Sequence, residues 1–476
     1  MIRNKGIWFS SIMVLLTICL VFGGCGKKQN QSAEKLGAAG VYPENGLPKD
    51  KIDLGFIFPV QGLGKDYFQH AVDTFQEKFP NVNINVRYIE SGAVEYGTII
   101  QSLVQSGDDK EMPDWIYGLA GEAREISLIN GKRMEPQDEL WERAFYDKPD
   151  LLVKDGTLGD RDKLFSYGHM YALSHSASIS GVYFNQDFFK KHALNMRPKN
   201  WNEYLDLCAK IKALNVNPLV MAGKFAYAYF KGSWGAIPYI AGGEQFLKDE
   251  YNYADNLYLQ PAFVESMEKL DQFARLGYLH PGTISFDHTQ SQMELIQGKA
   301  AMVTVGAWVA NEMKEVTPKD FKWGFMPFPA NDSPEQSQVI TTTSYFNGWI
   351  WKNRPEINKK WAKEFNLWLL NLDVQKKLAY YGGVPFRKDF AEDPKNLEGI
   401  SPSVAVAMEV IRDPKIKVVN AGIRDPKKRN LVKNEAEMAK VQKILGDSYI
   451  ALISGKITPK QAAQKVNSHY MRGLGK

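Results

Sequence analysis

Between Ile52 and Tyr117 the apolar pattern switches period four times, and this alternation restricts the fold more than any other feature of the chain. Ile52–Phe58 is a short apolar run of the kind a buried strand carries. Gln61–Gly64 turns the chain. Phe68, Val72, Phe75 and Phe79 then recur at helical spacing until Pro80 stops them. Val82, Ile84, Val86 and Tyr88 alternate, as on a half-buried strand. Thr98–Gln105 returns to the helical period, and Pro113-Asp114-Trp115-Ile116-Tyr117 to a strand. Strand, helix, strand, helix, strand predicts a parallel sheet with crossover helices, hence an α/β fold.

A second α/β region follows Tyr171. Ile179–Phe184, Leu219–Ala222 and Ala300–Val305 read as strands. Trp201–Leu214, Ala262–Leu276, Ser291–Gln297 and Trp361–Tyr381 read as helices. Thr458-Pro459 opens a last helix with a capping hydroxyl and a first-turn proline. The aromatic stretch Tyr227–Trp234, with Gly232 and Gly235, reads as a loop, as does the Thr- and Ser-rich segment that holds Tyr345 and Phe346. No internal repeat interrupts the pattern.

The N-terminus carries Arg3 and Lys5, an apolar run Ile7–Phe22, and then Gly23-Gly24-Cys25. The run is about 16 residues, shorter than the roughly 20 that span a bilayer, and small residues end it, as at a cleavage site. The segment resembles a bacterial lipoprotein signal. That resemblance implies that residues 1–24 are removed and that Cys25 is lipidated. The chain would then be held on the outer face of the membrane of a single-membrane bacterium. Residues 26–51 are polar and read as a flexible tether.

Net charge is +5, too mild to suggest a nucleic-acid partner. Of three cysteines, Cys19 leaves with the leader and Cys25 takes the lipid, so Cys208 has no disulfide partner. Its helical setting reads as that of a small buried hydrophobe. His70, His169, His175, His192, His280, His288 and His469 are scattered with no metal-ligand spacing, so no metal is assigned. Gly62 and Gly64 begin a dinucleotide fingerprint, but Tyr67 takes the third glycine position, so no cofactor is assigned either. These glycines suit backbone amides that approach a polar ligand. Signatures of metalloproteases, serine hydrolases and P-loops are missing, and no spacing nominates a glycosidase carboxylate pair. The chain therefore reads as a non-enzyme, with no catalytic residue.

Several segments, in order, resemble the extracellular solute-binding proteins of carbohydrate ABC importers (family 1). They are Gly181-Val182-Tyr183-Phe184-Asn185-Gln186-Asp187-Phe188-Phe189-Lys190-Lys191, Pro198-Lys199-Asn200-Trp201-Asn202-Glu203-Tyr204, Asn215–Leu219, Gln297–Met302 with Gly306-Ala307-Trp308, Met326–Pro329 and Gly382–Pro385. The resemblance runs from Ile52 to Lys476. It implies a two-lobed, periplasmic-binding-protein-like fold of type II, with a ligand cleft between hinged lobes. Lobe one would hold 52–173 and 330–381, and lobe two 174–329 and 382–476. Crossings would lie near Tyr171–His175, Phe328–Ala330 and Gly382–Pro385.

Sugars offer flat CH faces ringed by hydroxyls, so a site for them needs aromatic plates and paired polar groups. The resemblance nominates Trp308. Loop positions at strand ends add Trp234, Tyr229, Phe230, Tyr345, Phe346 and Tyr381 as aromatic candidates. Gln61, Glu122, Asn311, Glu312, Ser176 and Arg387 are the polar ones. Gly306–Lys314 with Val316-Thr317-Pro318, and Tyr171–Asn185, are similar to the branch that binds N-acetylglucosamine and its β-1,4-linked disaccharide. The implied partners are chitobiose or a related oligosaccharide, ABC permease subunits and a membrane reached through the lipid, with the protein a monomer. Maltose-, xylose- or cellulose-derived sugars, or a sensor role, are the alternatives; a secreted glycoside hydrolase is the remotest.

Overall fold

The structure is a computed structural model that describes residues 39–476 apart from 61–62, 91–92, 107–109, 119–121, 159–164, 167, 334–337 and 421–424. The leader, Cys25 and Gln61 lie outside the described residues. Residues 39–50 form a small turn of their own, in which the Tyr42 N–H donates to the Leu47 carbonyl at 2.9 Å.

In the body, Lys51–Lys476, ten strands share one sheet. They are β1 (Ile52–Pro59), β2 (Val82–Ile89), β3 (Trp115–Tyr117), β4 (Ala172–Asn185), β5 (Asn217–Val220), β6 (Ala300–Gly306), β7 (Trp323–Met326), β8 (Gln338–Ile350), β9 (Val384–Pro385) and β10 (Ile416–Asn420). Their order is β2-β1-β3-β8-β4-β6-β5, with β7 and β9 also on β4, and β10 on β8.

The N-terminal reading holds. β1 pairs in parallel with β2 and β3, and the helices Asp66–Lys78 and Ala93–Ser106 make the crossovers. Alternation sorts the strands' side chains into two layers. Phe58 stacks on Phe68 with ring centroids 4.2 Å apart, and Phe56 meets Phe365 edge-on at 4.9 Å. Ile57 and Ile116 pack on the other face with Tyr96, Ile100 and Leu128. A parallel sheet buried on both faces explains why β1 reads as a continuous apolar run.

β4 organises the rest. Its 14 residues span about 46 Å at about 3.3 Å per residue. Its first half, Ala172–Ala177, pairs with β8 and β9. Its second half, Ser180–Asn185, pairs with β6 and β7. The strand thus begins well before Ile179, where the sequence placed it. The run Ser174–Ser178 lacks bulky apolar residues, so its period is silent, yet all five side chains are buried beneath neighbouring strands. β8 likewise changes partners, from β10 at Gln338–Thr342 to β4 and β3, with register shifts around Tyr345 and Phe346. Tyr345 and Phe346 are therefore strand residues, not loop residues. Phe328 and Ala330, where a crossing was expected, are buried in a core with Trp201 and Trp234.

One buried polar network joins β3, β8 and β4. The Trp115 Nε1 donates to Asn366 Oδ1 at 2.6 Å, and Asn366 Nδ2 donates to Gln137 Oε1 at 2.6 Å and to the Gly348 carbonyl at 3.0 Å. Gln137 Nε2 donates in turn to the carbonyls of Tyr171 and Gly348, at 2.9 and 3.0 Å. Gly348 has no room for a side chain: a Cβ there would lie 1.9 Å from Asn366 Oδ1 and 2.5 Å from Trp115 Nε1. Gly348→Ala should cost about 3 kcal/mol, through overpacking and broken buried hydrogen bonds, measured by urea unfolding of the body.

The last helix starts as read, at Thr458, whose hydroxyl and Gln461 form a reciprocal capping box. Cys208 is buried, and burial pushes its thiol up, which matches its reading as a hydrophobe.

Candidate functional site

Where β4 exchanges one set of partners for the other, the chain leaves a cleft. It encloses about 750 Å³ of empty space, partly open to solvent. Ala177, Ser178 and Ile179 of β4 line one wall, with Leu63, Gly382, Gly383 and Val384. Tyr229, His288, Ala307, Trp308 and Glu312 complete it. Three segments distant in sequence, around residues 229, 308 and 382, therefore meet here.

Trp308 follows β6 and precedes the short helix Val309–Glu312. Its indole folds back over Gly306, where a Cβ would lie 1.9 Å from the ring. The spacing Gly306-Ala307-Trp308 is thus a steric requirement of the ring's position. Gly382, at φ +93°, brings its backbone against Trp308 and Asn311 from the other side; its Cβ would stand 3.2 Å from both. Asn311 is half-buried in that contact.

Glu312 is exposed, and its Oε2 accepts from Nε2 of the fully buried Gln292 at 3.0 Å. Burial, then the nearby Glu312 carboxylate, push the Tyr229 phenol up, so it stays protonated. A donor and an acceptor therefore stand beside an indole face. No lysine or arginine is among the described residues that line the cleft. Among the described residues, no group of three or more His, Cys, Asp or Glu could hold a metal, and no helix is long and apolar enough to cross a membrane.

Several expected contacts lie elsewhere. Trp234 is fully buried: it packs edge-on against Phe328 at 4.5 Å and Phe273 at 5.3 Å, and its Nε1 faces Met221 Sδ at 3.3 Å. Phe230 stacks on Tyr449 at 5.2 Å in the same core. The stretch that holds them is a helix, Ala226–Ser233, not a loop; burial of one apolar face outweighs its glycine. Ser176 is buried and its hydroxyl donates to the Val384 carbonyl at 3.0 Å, fastening β9 to β4. Arg387 is fully buried between Asp389 and Asp147. The Tyr381 hydroxyl donates to Asp66 Oδ2 at 2.9 Å, next to the cleft glycines but outside its lining. Glu122 opens the helix Glu122–Asn130 rather than lying in a loop. Tyr345 and Phe346 pair with Ala177 and Ser176 on β4, which places their backbone at the level of the cleft wall. Ala177, Ser178 and His288 line the cleft without any sequence signal except their small size or isolation.

His175 lies on β4 at the same level. It is 1% exposed, its ring 5.6 Å from that of Tyr117, and neither ring nitrogen has a hydrogen-bond partner among the described residues. Burial lowers its pKa to about 3. The folded chain therefore keeps it neutral while the unfolded chain takes up a proton near pH 6.5, so stability falls as pH drops below that value. At pH 5 the loss from this residue is about 2 kcal/mol. His175→Leu should flatten the dependence of urea unfolding on pH between 7 and 5.

With this geometry in place, comparison with known proteins gives consistent relatives. A family model described as bacterial extracellular solute-binding protein matches residues 61–376. The sn-glycerol-3-phosphate-binding periplasmic protein UgpB of Shigella flexneri is 23% identical over 320 residues, covering 62% of this chain and 65% of that protein. The diacetylchitobiose binding protein NgcE of Streptomyces coelicolor is 23% identical over 275 residues, covering 56% of this chain and 55% of that protein. Among solved structures, a chitin oligosaccharide binding protein matches with a TM-score of 0.65 at 18% identity, covering 90% of this chain and all (100%) of that one. At such identity the structural likeness is one of fold.

Proposed function

The chain belongs to the bacterial extracellular solute-binding protein family, with the family's mixed α/β fold of the two-lobed type, and on that footing we propose that it captures an oligosaccharide in the cleft at Trp308 and delivers it to an ABC importer. The observation that carries this reading is the Trp308 indole, seated over Gly306 at a cleft wall beside the Tyr229 phenol and the Glu312 carboxylate. A pyranose lays its CH face on such a ring and pairs its hydroxyls with such groups. The ligand favours whichever form it touches from both sides. β4 and β8, which change partners at Ser178–Ser180 and near residues 342–346, are the connections about which two lobes would close.

N-acetylglucosamine oligosaccharides such as chitobiose are the ligands we favour. The Gly306–Lys314 and Tyr171–Asn185 segments support this, as does the likeness to NgcE, a diacetylchitobiose binding protein. A phosphorylated polyol is the second reading, because UgpB is equally similar. A carboxylate at the wall, with no described cation beside it, disfavours a phosphate dianion. Lipid on Cys25 would tether the protein outside the cytoplasm, near its permease.

Calorimetric titration of the soluble chain tests the reading, with chitobiose, N-acetylglucosamine, maltose, xylobiose, cellobiose and sn-glycerol 3-phosphate. One-to-one binding of chitobiose, recovered unhydrolysed, is the expected result. Binding of another sugar alone would overturn the chitobiose assignment, and binding of glycerol phosphate alone would overturn the saccharide class.

A further inference from the structure

The helix Ala226–Ser233 has a second hollow on its other side. Tyr229 serves the cleft, whereas Tyr227 lines a separate cavity enclosing about 860 Å³ of empty space, part of it open. The walls come from Ala226–Ser233, Ile237–Tyr251, Pro261–Arg275 and Glu435–Ile453, and the lining shares only the helix, and none of its residues, with the cleft. Five phenols, Tyr227, Tyr239, Tyr253, Tyr258 and Tyr449, turn into it together with Phe246. Two charged groups join them. Glu250, 8% exposed, accepts from the Tyr239 hydroxyl at 2.5 Å. Arg429 lies within 3.3 Å of the Tyr253 hydroxyl and is held by Glu435 at 2.6 Å.

Two backbone positions beside this cavity have positive φ. Tyr253 has φ +57°, a left-handed conformation rarely adopted by an aromatic residue. Gly243, at φ 55° and ψ −144°, breaks Ile237–Tyr251 into two helical segments in a region open only to glycine. The Gly243 kink lies within the segment that carries Tyr239, Phe246 and Glu250. A hydrophobic core closes such a gap with aliphatic side chains. Here Pro238, Met438, Val441 and Leu445 supply an apolar floor, but the rest of the lining is mainly flat rings that end in hydroxyls, plus one carboxylate and one guanidinium, the groups that recognise a neutral ring bearing hydroxyls.

We propose that this cavity is a second binding site, independent of the cleft, for a neutral monosaccharide-sized ring. Aromatic faces would take the ring's CH surface, and Glu250 and Arg429 its hydroxyls.

The test uses the soluble chain carrying Trp308→Ala, which weakens the cleft, with N-acetylglucosamine, glucose and galactose as probes. The expected result is a residual one-to-one heat with at least one probe, lost on adding Glu250→Gln, and density for that sugar in soaked Trp308→Ala crystals between Tyr239 and Tyr258. Glu250→Gln alone should leave chitobiose binding at the cleft intact, which separates failure of this site from failure of the cleft. Soaked crystals with no sugar in the cavity, or a residual heat unchanged by Glu250→Gln in a chain that melts like its parent, would overturn the proposal.

Discussion

Trp308→Ala should weaken saccharide binding by about 2–3 kcal/mol, about 30- to 150-fold in Kd, and leave urea unfolding close to that of the parent. The asymmetry follows from where the indole sits. It is half-buried at the cleft, with its ring over Gly306 and its Cα and Cβ against Gly382. Its removal takes away a stacking surface but opens little internal volume. Trp234→Ala makes the opposite case with the same chemistry. That ring is fully buried among Trp201, Phe273 and Phe328, and its truncation should cost about 3–5 kcal/mol of stability. Chitobiose affinity in the folded fraction should remain near the parent value. Calorimetry paired with urea titration on both variants checks the contrast. Equal affinity losses would mean that Trp234 reaches the ligand after all.

The same pair shows what could be read without coordinates. Trp308 was nominated by the resemblance of the segment Gly306-Ala307-Trp308; the structure adds the physical reason for its position, a ring folded over the bare Gly306 at the end of a strand. Trp234 stands in an aromatic-rich stretch with glycines, and sequence alone does not say whether such a stretch is a loop at a cleft or a helix over a core. Phe230, stacked on Tyr449 more than 200 residues later, settles the matter only in three dimensions. The parallel sheet from Ile52 to Tyr117 was legible because each strand and helix is local and strongly periodic. β4 was half hidden, because Ser174–Ser178 carries no bulky apolar side chain and its burial depends on β8, β9 and the helix Leu372–Tyr380. Long-range pairing, not local preference, makes that segment a strand.

Arg387 was read as a polar ligand contact, and its surroundings give it a different and larger role. Its guanidinium is fully buried, forked onto Asp389 at 2.8 and 2.6 Å, bonded to Asp147 at 2.5 Å, and 4.1 Å from the Phe145 ring centre. Asp389, two residues on, was visible in the sequence; Asp147, 240 residues away, was not. Burial alone would raise the Asp389 carboxyl, but the hydrogen bonds and charge of Arg387, with help from Lys148, hold it below the usual carboxylate range. The carboxylate's contribution is therefore present above the unfolded pKa, near 4, and is lost as pH falls through the lower folded value. Arg387→Met removes the cation while keeping most of the volume, deprives Asp147 of its guanidinium, and leaves Asp389, 7% exposed, with Lys148 at 3.2 Å as its remaining described cation. The expected cost is about 3–5 kcal/mol in urea unfolding at pH 7. Because Asp389, having lost the two hydrogen bonds of the guanidinium, would then take up a proton more readily, the deficit should shrink as the pH is lowered toward 4. The double variant Arg387→Met with Asp389→Leu should recover part of the loss, since a matched apolar replacement leaves fewer buried charges without a partner. Saccharide affinity of the folded Arg387→Met protein should match the parent, because Arg387 is not among the described residues that line the cleft. An affinity loss of tenfold or more without a stability loss would return Arg387 to the ligand site.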